Sequence, residues 1–197
     1  MLAEPLTTPL APHLVRSPRV PAPLFAEGRV ELLARPLVAV VGTRSPSAAG
    51  TARASRLARE LARAGVVVLS GLARGIDAAA HRAAIAAGGD TIAVIGTPIE
   101  RVYPAAHADL QCVIARDHLL LSALAPGAPV ERGSFPRRDR VLAALADVVV
   151  IIEAGDGSGT LHAATHAARL GRPLFLARSL LETGATWPAR FLGKPTV

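Results

Sequence analysis

Four turns of the sequence concentrate residues that could bind an anion. Each follows a short apolar run and contains glycine: they are GTRSPSAAG (42–50), GLARGID (71–77), GTPIERVYP (96–104) and EAGDGSGT (153–160). Glycine lets the backbone approach a ligand or adopt a positive φ, and free N–H groups at a helix start bind phosphate. A plain connector needs one glycine or one capping residue, so these turns predict an anion site.

Three of the turns supply the candidate phosphate ligands. The first offers backbone N–H groups, hydroxyls and a guanidinium. The second, with the serine before it, places an arginine between glycines, and the fourth opens a helix with two hydroxyls. The candidates are Gly42, Arg44, Ser47, Ser70, Gly71, Arg74, Gly75, Ser158, Gly159 and Thr160. Asp77 is predicted to cap the helix after the second turn.

A second basic cluster is the segment SFPRRDR (134–140), which contains Arg137, Arg138 and Arg140. These arginines fall at a predicted helix start, where the helix dipole disfavours cations. We therefore expect a compensating partner, either a phosphate or the adjacent Asp139. A solvated surface cluster is the alternative.

Several catalytic motifs are absent from the turns. None matches the G-x-G-x-x-G dinucleotide fingerprint, a Walker A loop or the G-x-S-x-G nucleophile elbow. His162 and His166 share a helix face, but no further residues at a recognisable spacing complete the three or four ligands of a zinc site. We therefore predict a binding protein with no catalytic residue, no cofactor and no metal.

The elements between the turns predict an α/β fold with a doubly wound, mostly parallel sheet. The apolar runs are apolar throughout, as in strands buried on both faces, and they alternate with alanine-rich helical stretches. The predicted strands are 37–41, 66–70, 91–95, 118–122, 148–152 and 173–177. The predicted helices are 50–64, 76–87, 106–116, 137–146 and 158–170. In such sheets ligands bind at the carboxyl ends of the strands, which would bring the turns together.

Three segments are predicted along the chain. Residues 1–36 read as a proline-rich arm that ends in a short lead-in, with a strand near 24–26 and a short helix near 29–33. Residues 37–177 form the core, and residues 178–197 form a C-terminal tail. Trp187 in the tail is expected to pack against the core rather than stack on a base.

Charge and cysteine content narrow the class of protein. The chain has 22 Lys and Arg against 15 Asp and Glu, for a net charge of +7. This balance is consistent with a nucleic-acid partner, although an Ala- and Arg-rich composition also arises in GC-rich genomes. Cys112 is the single cysteine, and no apolar run approaches the ~20 residues of a membrane span. We predict a cytoplasmic protein with no membrane contact.

A combination of segments resembles the DprA/Smf family of DNA-processing proteins. The segments are VAVVGTRSPS, SGLARGID with the later AH, the YP pair, and SFPRRDR followed by GDGSGT. The resemblance covers residues 21 to about 176 and includes PAPLFAEG (21–28) before the first strand. It implies an extended Rossmann-like fold. It also implies single-stranded DNA binding, loading of RecA in transformation or recombination, pairing of two copies through this domain, and no catalysis.

The resemblance also assigns roles to the candidate residues. Arg74 and its glycines would form a phosphate-lined pocket with Gly42, Arg44 and Ser47, and the three arginines of SFPRRDR would follow the strand backbone. The chain departs from the family pattern at Asp139, where the family has asparagine, and at Ala123, His107 and Thr160. Without the family's flanking helical and winged-helix domains, it reads as a divergent, minimal member.

Two alternatives remain from the same residues. GDGSGT and FPRR are also similar to the LOG-type phosphoribohydrolases, which cleave nucleoside monophosphates. Those enzymes use the glutamate of P-G-G-x-G-T-x-x-E, but here Ala163 occupies that position and no acidic residue lies between 157 and 170. The other alternative is a module that binds a small nucleotide in the same pocket.

Overall fold

The computed structural model describes residue 20 and residues 23–182 and 184–193. Most of the predicted arm and the end of the predicted tail lie outside these residues. A seven-stranded sheet has the order β1-β5-β4-β3-β2-β6-β7, in which only the pairing of β1 with β5 is antiparallel. The strands are β1 (Phe25–Gly28), β2 (Leu37–Val41), β3 (Val67–Ser70), β4 (Thr91–Ile95), β5 (Leu119–Ser122), β6 (Val148–Ile151) and β7 (Leu174–Leu176). The predicted α/β, doubly wound, mostly parallel sheet is confirmed.

The helices follow the predicted order with shifted ends. They are α1 (Ala48–Arg63), α2 (Ile76–Ala86), α3 (Ala108–Asp117), α4 (Ser134–Leu145), α5 (Thr160–Arg169) and α6 (Ser179–Glu182). Single 3-10 turns span Val30–Ala34, Ala105–His107 and Trp187–Arg190. The largest shift is at α4, predicted to begin at 137. Its first turn includes Pro136, which is tolerated because first-turn N–H groups have no intrahelical acceptor.

Helices cover both faces of the sheet. On one face Val40 of β2 shares a core with Ala54 and Ala58 of α1 and with residues of α2. On the other face Ala39 of β2 shares a core with Val141 of α4 and with residues of α5. The central strands are apolar at nearly every position, with Ser70 and Thr91 as the polar exceptions in β3 and β4, because both sides are buried.

The segment after β7 packs onto the second of these cores. Trp187 is 1% exposed, and its indole N–H donates to the Ala154 carbonyl oxygen at 3.1 Å. Its packing role is therefore confirmed. Among the described residues, no helix combines the length and the apolar character needed to cross a membrane.

Candidate nucleic-acid interface

A cavity of 610 Å³ opens at the carboxyl end of β2, between the N-terminal ends of α4 and α5. The turn after β2, the first turns of α4 and α5 and the loop before α5 all contribute to its wall. The lining includes Gly42, Thr43, Arg44, Phe135, Arg138, Asp139, Gly155, Gly157, Ser158, Gly159, Thr160 and His162. Ala73 and Asp77 of the second turn also line the cavity, so three of the four glycine turns meet here together with the basic segment 134–140, as the topology of a parallel sheet requires.

A smaller cavity of 240 Å³ lies beside the first, at the carboxyl ends of β3 and β4. It shares Arg44, Ala73, Phe135 and Arg138 with the larger cavity. The remaining lining residues are Ser45, Gly71, Leu72, Arg74, Ile95, Gly96, Tyr103 and Pro104. Because the two cavities share a wall, they form one continuous surface along the sheet edge.

The turn between β3 and α2 is fixed by contacts from three other segments. Arg138 of α4 donates to the Gly71 carbonyl oxygen, and the His107 ring donates to the Leu72 carbonyl oxygen at 3.0 Å. The Asp77 carboxylate accepts the Gly71 and Ala73 N–H groups at 3.2 and 3.3 Å. Leu72 has a φ of 57°, a conformation that costs energy for a residue other than glycine.

This bonding leaves Arg74 at the tip of a braced turn. The Arg74 side chain is exposed and lines the smaller cavity. Gly75, next to it, has a φ of 77°, and a Cβ there would lie 2.7 Å from Pro46 Cδ. Because Gly75 has no side chain, this turn packs against the turn after β2, and the two turns that carry Arg74 and Arg44 are held together.

Arg138 compensates two carboxylates that line the larger cavity, the buried Asp77 and the partly buried Asp139. Its Nη1 lies 3.9 Å from Asp77 Oδ2, and its Nε lies 2.9 Å from Asp139 Oδ1. The Nε–H does not point at that oxygen, so we describe the contact as an ion pair rather than a hydrogen bond. Burial raises the pKa of Asp77 to about 6, with Arg138 opposing the shift. Burial also raises the pKa of Asp139, against the attraction of Arg138, His162 and Arg44.

Phe135 separates and supports two exposed side chains. The Arg44 guanidinium carbon lies 5.8 Å from the centroid of the Phe135 ring, within the range of a cation–π contact. The Tyr103 ring lies 5.5 Å away between centroids, tilted by 53°. The surface therefore combines an arginine with two aromatic rings, a combination suited to the phosphates and bases of a single strand.

The structure corrects two of the predicted ligands. Ser70 is fully buried and donates its hydroxyl to the Val40 carbonyl oxygen at 2.6 Å, so it has no surface to offer an anion. Ser47 caps α1 by accepting the Gly50 N–H at 2.9 Å. Its own N–H and hydroxyl donate to the Glu153 carboxylate at 2.8 and 2.7 Å, so a protein carboxylate occupies the place expected for phosphate.

The three arginines of the basic cluster in α4 differ in their exposure. Arg138 is 7% exposed and is engaged by Gly71 and by the two acids, although it lines both cavities, so its contact with a DNA strand stays a prediction. Arg137 is half-buried and Arg140 is exposed, and neither lines a cavity described above. Arg140 lies close enough to α5 that its charge contributes to the lowered pKa of His166, after the larger effect of burial. Phosphate contact by Arg137 and Arg140 stays a prediction.

Asp77 also differs from its expected role. It lies in the first turn of α2, whose N-cap is Gly75 with no side-chain cap. Its carboxylate instead closes the preceding turn. At α5 the Ser158 hydroxyl accepts the Thr160 N–H at 3.2 Å. A Cβ on Gly157 or Gly159 would meet nothing within 4 Å, so this loop is open toward the cavity.

The candidate set above leaves out Phe135, which lines both cavities, and Glu153, which bonds Ser47 beside them. Glu153 directly follows a predicted strand, so the sequence pattern indicates its position at the sheet edge. The sequence also indicates the burial of Arg138, because it shares the i, i+3, i+4, i+7 spacing of a buried helix face with Val141, Leu142 and Leu145.

Solved structures share this architecture. DNA processing protein A from Streptococcus pneumoniae superposes with a TM-score of 0.75 at 40% identity, over 82% of this chain and 61% of that one. The Helicobacter pylori protein, solved for its single-stranded DNA binding mode, gives 0.74 at 34% identity, over 86% and 77%. A molybdenum cofactor binding protein from Rippkaea orientalis shares the fold alone, with a TM-score of 0.53 at 22% identity over 72% of this chain and 76% of that one.

Sequence comparison finds relatives of the same kind. The chain is 43% identical over 155 residues to DNA processing protein DprA of S. pneumoniae, covering 79% of this chain and 55% of that protein. It is 36% identical over 174 residues to DprA of Bacillus subtilis, covering 87% and 59%. It thus spans a little over half the length of these relatives. The model of the DNA recombination-mediator protein A family matches residues 8–187. The resemblance to DprA/Smf is confirmed, and the chain belongs to the DNA recombination-mediator protein A family.

Proposed function

We propose that this chain binds single-stranded DNA through the backbone phosphates, without reading base sequence. The observation that carries the proposal is that Arg44 and Arg74 both line the smaller cavity. Both side chains are exposed, and neither forms an ion pair in the part of the chain that the structure describes. Two exposed guanidinium groups without an ion pair, held on rigid turns, favour a polyanionic ligand.

The aromatic groups support backbone recognition over base recognition. Phe135 is half-buried and already contacts Arg44 and Tyr103, so little of its face is free for a base. Tyr103 is 46% exposed and offers one stacking surface. Stacking on a single ring tolerates any base, so it would strengthen binding without imposing a sequence. The solved H. pylori relative, described for its single-stranded DNA binding mode, supports the same ligand class.

The family match supports a role as a recombination mediator that loads RecA on the bound strand. In this role the protein acts by binding rather than by catalysis. Thr160 begins α5, and the position three residues on is the buried Ala163, so the LOG-type glutamate has no counterpart in that helix. The kinetics of RecA nucleation on coated single strands test RecA loading. The mass of the protein in solution tests the pairing of two copies.

Salt titration tests the proposed ligand. Three engaged arginines, Arg44, Arg74 and Arg137, predict that log K for an oligo-dT of about six nucleotides falls with log salt at a slope near −2. Arg137→Ala should flatten the slope by about 0.7, and oligo-dA and oligo-dC should behave alike. An affinity that is insensitive to salt would contradict the proposal. A nucleoside monophosphate that raises the melting temperature more than the oligonucleotide does would favour a small-nucleotide module instead.

A further inference from the structure

A second basic groove lies outside the site described above. It has a volume of 510 Å³ and runs between α1 and α2. Thr51, Ser55 and Arg59 recur at intervals of four on α1 and form one wall, whereas Arg82 stands on α2. Ala78, Ala79 and Ala83 form the floor, and Gly75 and His107 close one end. The groove is lined by small, hydroxyl and basic side chains only.

The charge in this groove is uncompensated. Arg59 and Arg82 are exposed, and neither guanidinium forms an ion pair or hydrogen bond with another residue that the structure describes. The adjacent acid on α1, Glu60, is paired with Arg63 at 2.8 Å. The larger cavity differs, because its buried Arg138 is balanced by Asp77 and Asp139. The groove is therefore a stretch of surface with positive charge and no internal counter-ion.

The groove adjoins the proposed DNA site at the turn between β3 and α2. Gly75 adjoins Arg74, and His107 holds the Leu72 carbonyl oxygen of the same turn. Both helices begin at the carboxyl edge of the sheet, so the groove leads from that edge toward Arg59. From Thr51 to Arg59 the helix rises by about 12 Å. The alanine floor gives a strand close access to the walls on either side.

We propose that the groove between α1 and α2 binds the backbone phosphates of the DNA strand where it leaves the Arg44–Arg74 site. This rests on the proposed single-stranded DNA binding and extends its footprint. Arg59 and Arg82 contact phosphates from opposite walls, the hydroxyl of Ser55 donates to a phosphate oxygen, and the sugars lie over the alanines. An oligonucleotide too short to reach beyond Arg74 does not use the groove.

Two oligonucleotide lengths separate this inference from the proposed function. Arg59→Ala/Arg82→Ala should leave binding of an oligo-dT of about six nucleotides unchanged. For an oligo-dT of about sixteen nucleotides it should flatten the salt slope by about 1.4 and weaken binding about 25-fold at about 0.1 M salt. Arg53→Ala/Arg169→Ala removes the same charge from exposed sites outside the groove and should change affinity for either length by less than about twofold.

Three results would overturn the inference. The groove variant could bind the long oligonucleotide like the unchanged protein, which would leave the groove for another partner, such as an acidic protein surface. The control variant could lose as much as the groove variant, so that net charge alone explains the loss. The groove variant could lose the short oligonucleotide equally. If the unchanged protein binds neither length, the proposed function itself fails, which is a distinct result.

Discussion

The Arg44 guanidinium carbon lies 5.8 Å from the centroid of the Phe135 ring. This contact joins the turn after β2 to the first turn of α4 and orients an exposed arginine over the wall shared by the two cavities. A cation–π contact at an exposed site contributes about 0.5–1 kcal/mol. Phe135 therefore positions charge at the proposed DNA site without carrying charge itself.

Phe135→Leu should weaken oligo-dT binding about fivefold while leaving the salt slope unchanged, because Arg44 loses its orientation and keeps its charge. Fluorescence titration at several salt concentrations checks both quantities. The matched control is Phe175→Leu at a phenylalanine of β7 that is 59% exposed and lines neither cavity. Equal affinity for the Phe135 variant and the unchanged protein would show that the ring does not position Arg44.

Gly71→Ala should lower the free energy of unfolding by about 1–3 kcal/mol, because its Cβ would overlap the Arg138 guanidinium. Urea unfolding measures the loss. Gly157→Ala is the control, since its Cβ would meet nothing within 4 Å, and it should change stability by less than about 0.5 kcal/mol. Similar losses for both variants would contradict the close approach of Arg138 to the β3–α2 turn.

Arg138→Met should destabilise the fold by about 3 kcal/mol, because it leaves the carboxylates of the buried Asp77 and the partly buried Asp139 without their cation. Arg137→Met makes the same substitution at the neighbouring, half-buried arginine and should stay within about 0.5 kcal/mol of the unchanged protein. Chemical unfolding curves compare the two. The assignment of Arg138 as the internal cation fails if Arg137→Met is the more harmful change.

The ionisation of Asp77 predicts a pH dependence of stability. Burial raises its folded-state pKa from 3.8 to about 6, so the folded protein binds this proton more tightly than the unfolded chain does. The resulting stability is present below the unfolded pKa and is lost as pH rises through about 6. The stability of the unchanged protein relative to Asp77→Asn should therefore fall by up to about 3 kcal/mol between about pH 4 and about pH 7.

A difference between two proteins is needed because His81 acts in the opposite direction. Burial lowers the pKa of His81 from 6.5 to about 3, so the folded state loses stability from this group as the pH falls below 6.5. This contribution is common to both proteins and cancels in the comparison. A stability difference that is constant across this pH range would show that Asp77 stays ionised in the folded protein.

The apolar runs predicted the sheet because burial on both faces leaves a strong local signal. Val38–Val41 and Thr91–Ile95 are apolar or small at each position, and the glycine turns after them marked the carboxyl edge. The roles of individual polar residues were harder to predict. Ser47 meets Glu153 across 106 residues only because β6 lies beside β2, and the sequence does not state this strand order.

Arg138 shows a different limit. Its spacing relative to Val141 and Leu145 indicates the buried face of α4. Charge alone, however, does not distinguish it from the arginines at 137 and 140. The distinction requires the buried acids that Arg138 meets. Asp139 was visible as an adjacent residue, whereas Asp77 comes from α2 and reaches Arg138 only through the tertiary fold.

The salt dependence of oligo-dT binding by Arg44→Ala/Arg74→Ala tests the central claim most directly. With an oligonucleotide of about six nucleotides, the double variant should flatten the slope of log K against log salt by about 1.4, while Arg53→Ala/Arg169→Ala keeps the slope of the unchanged protein. The account is contradicted if the double variant keeps the full slope and affinity, or if the control variant loses as much.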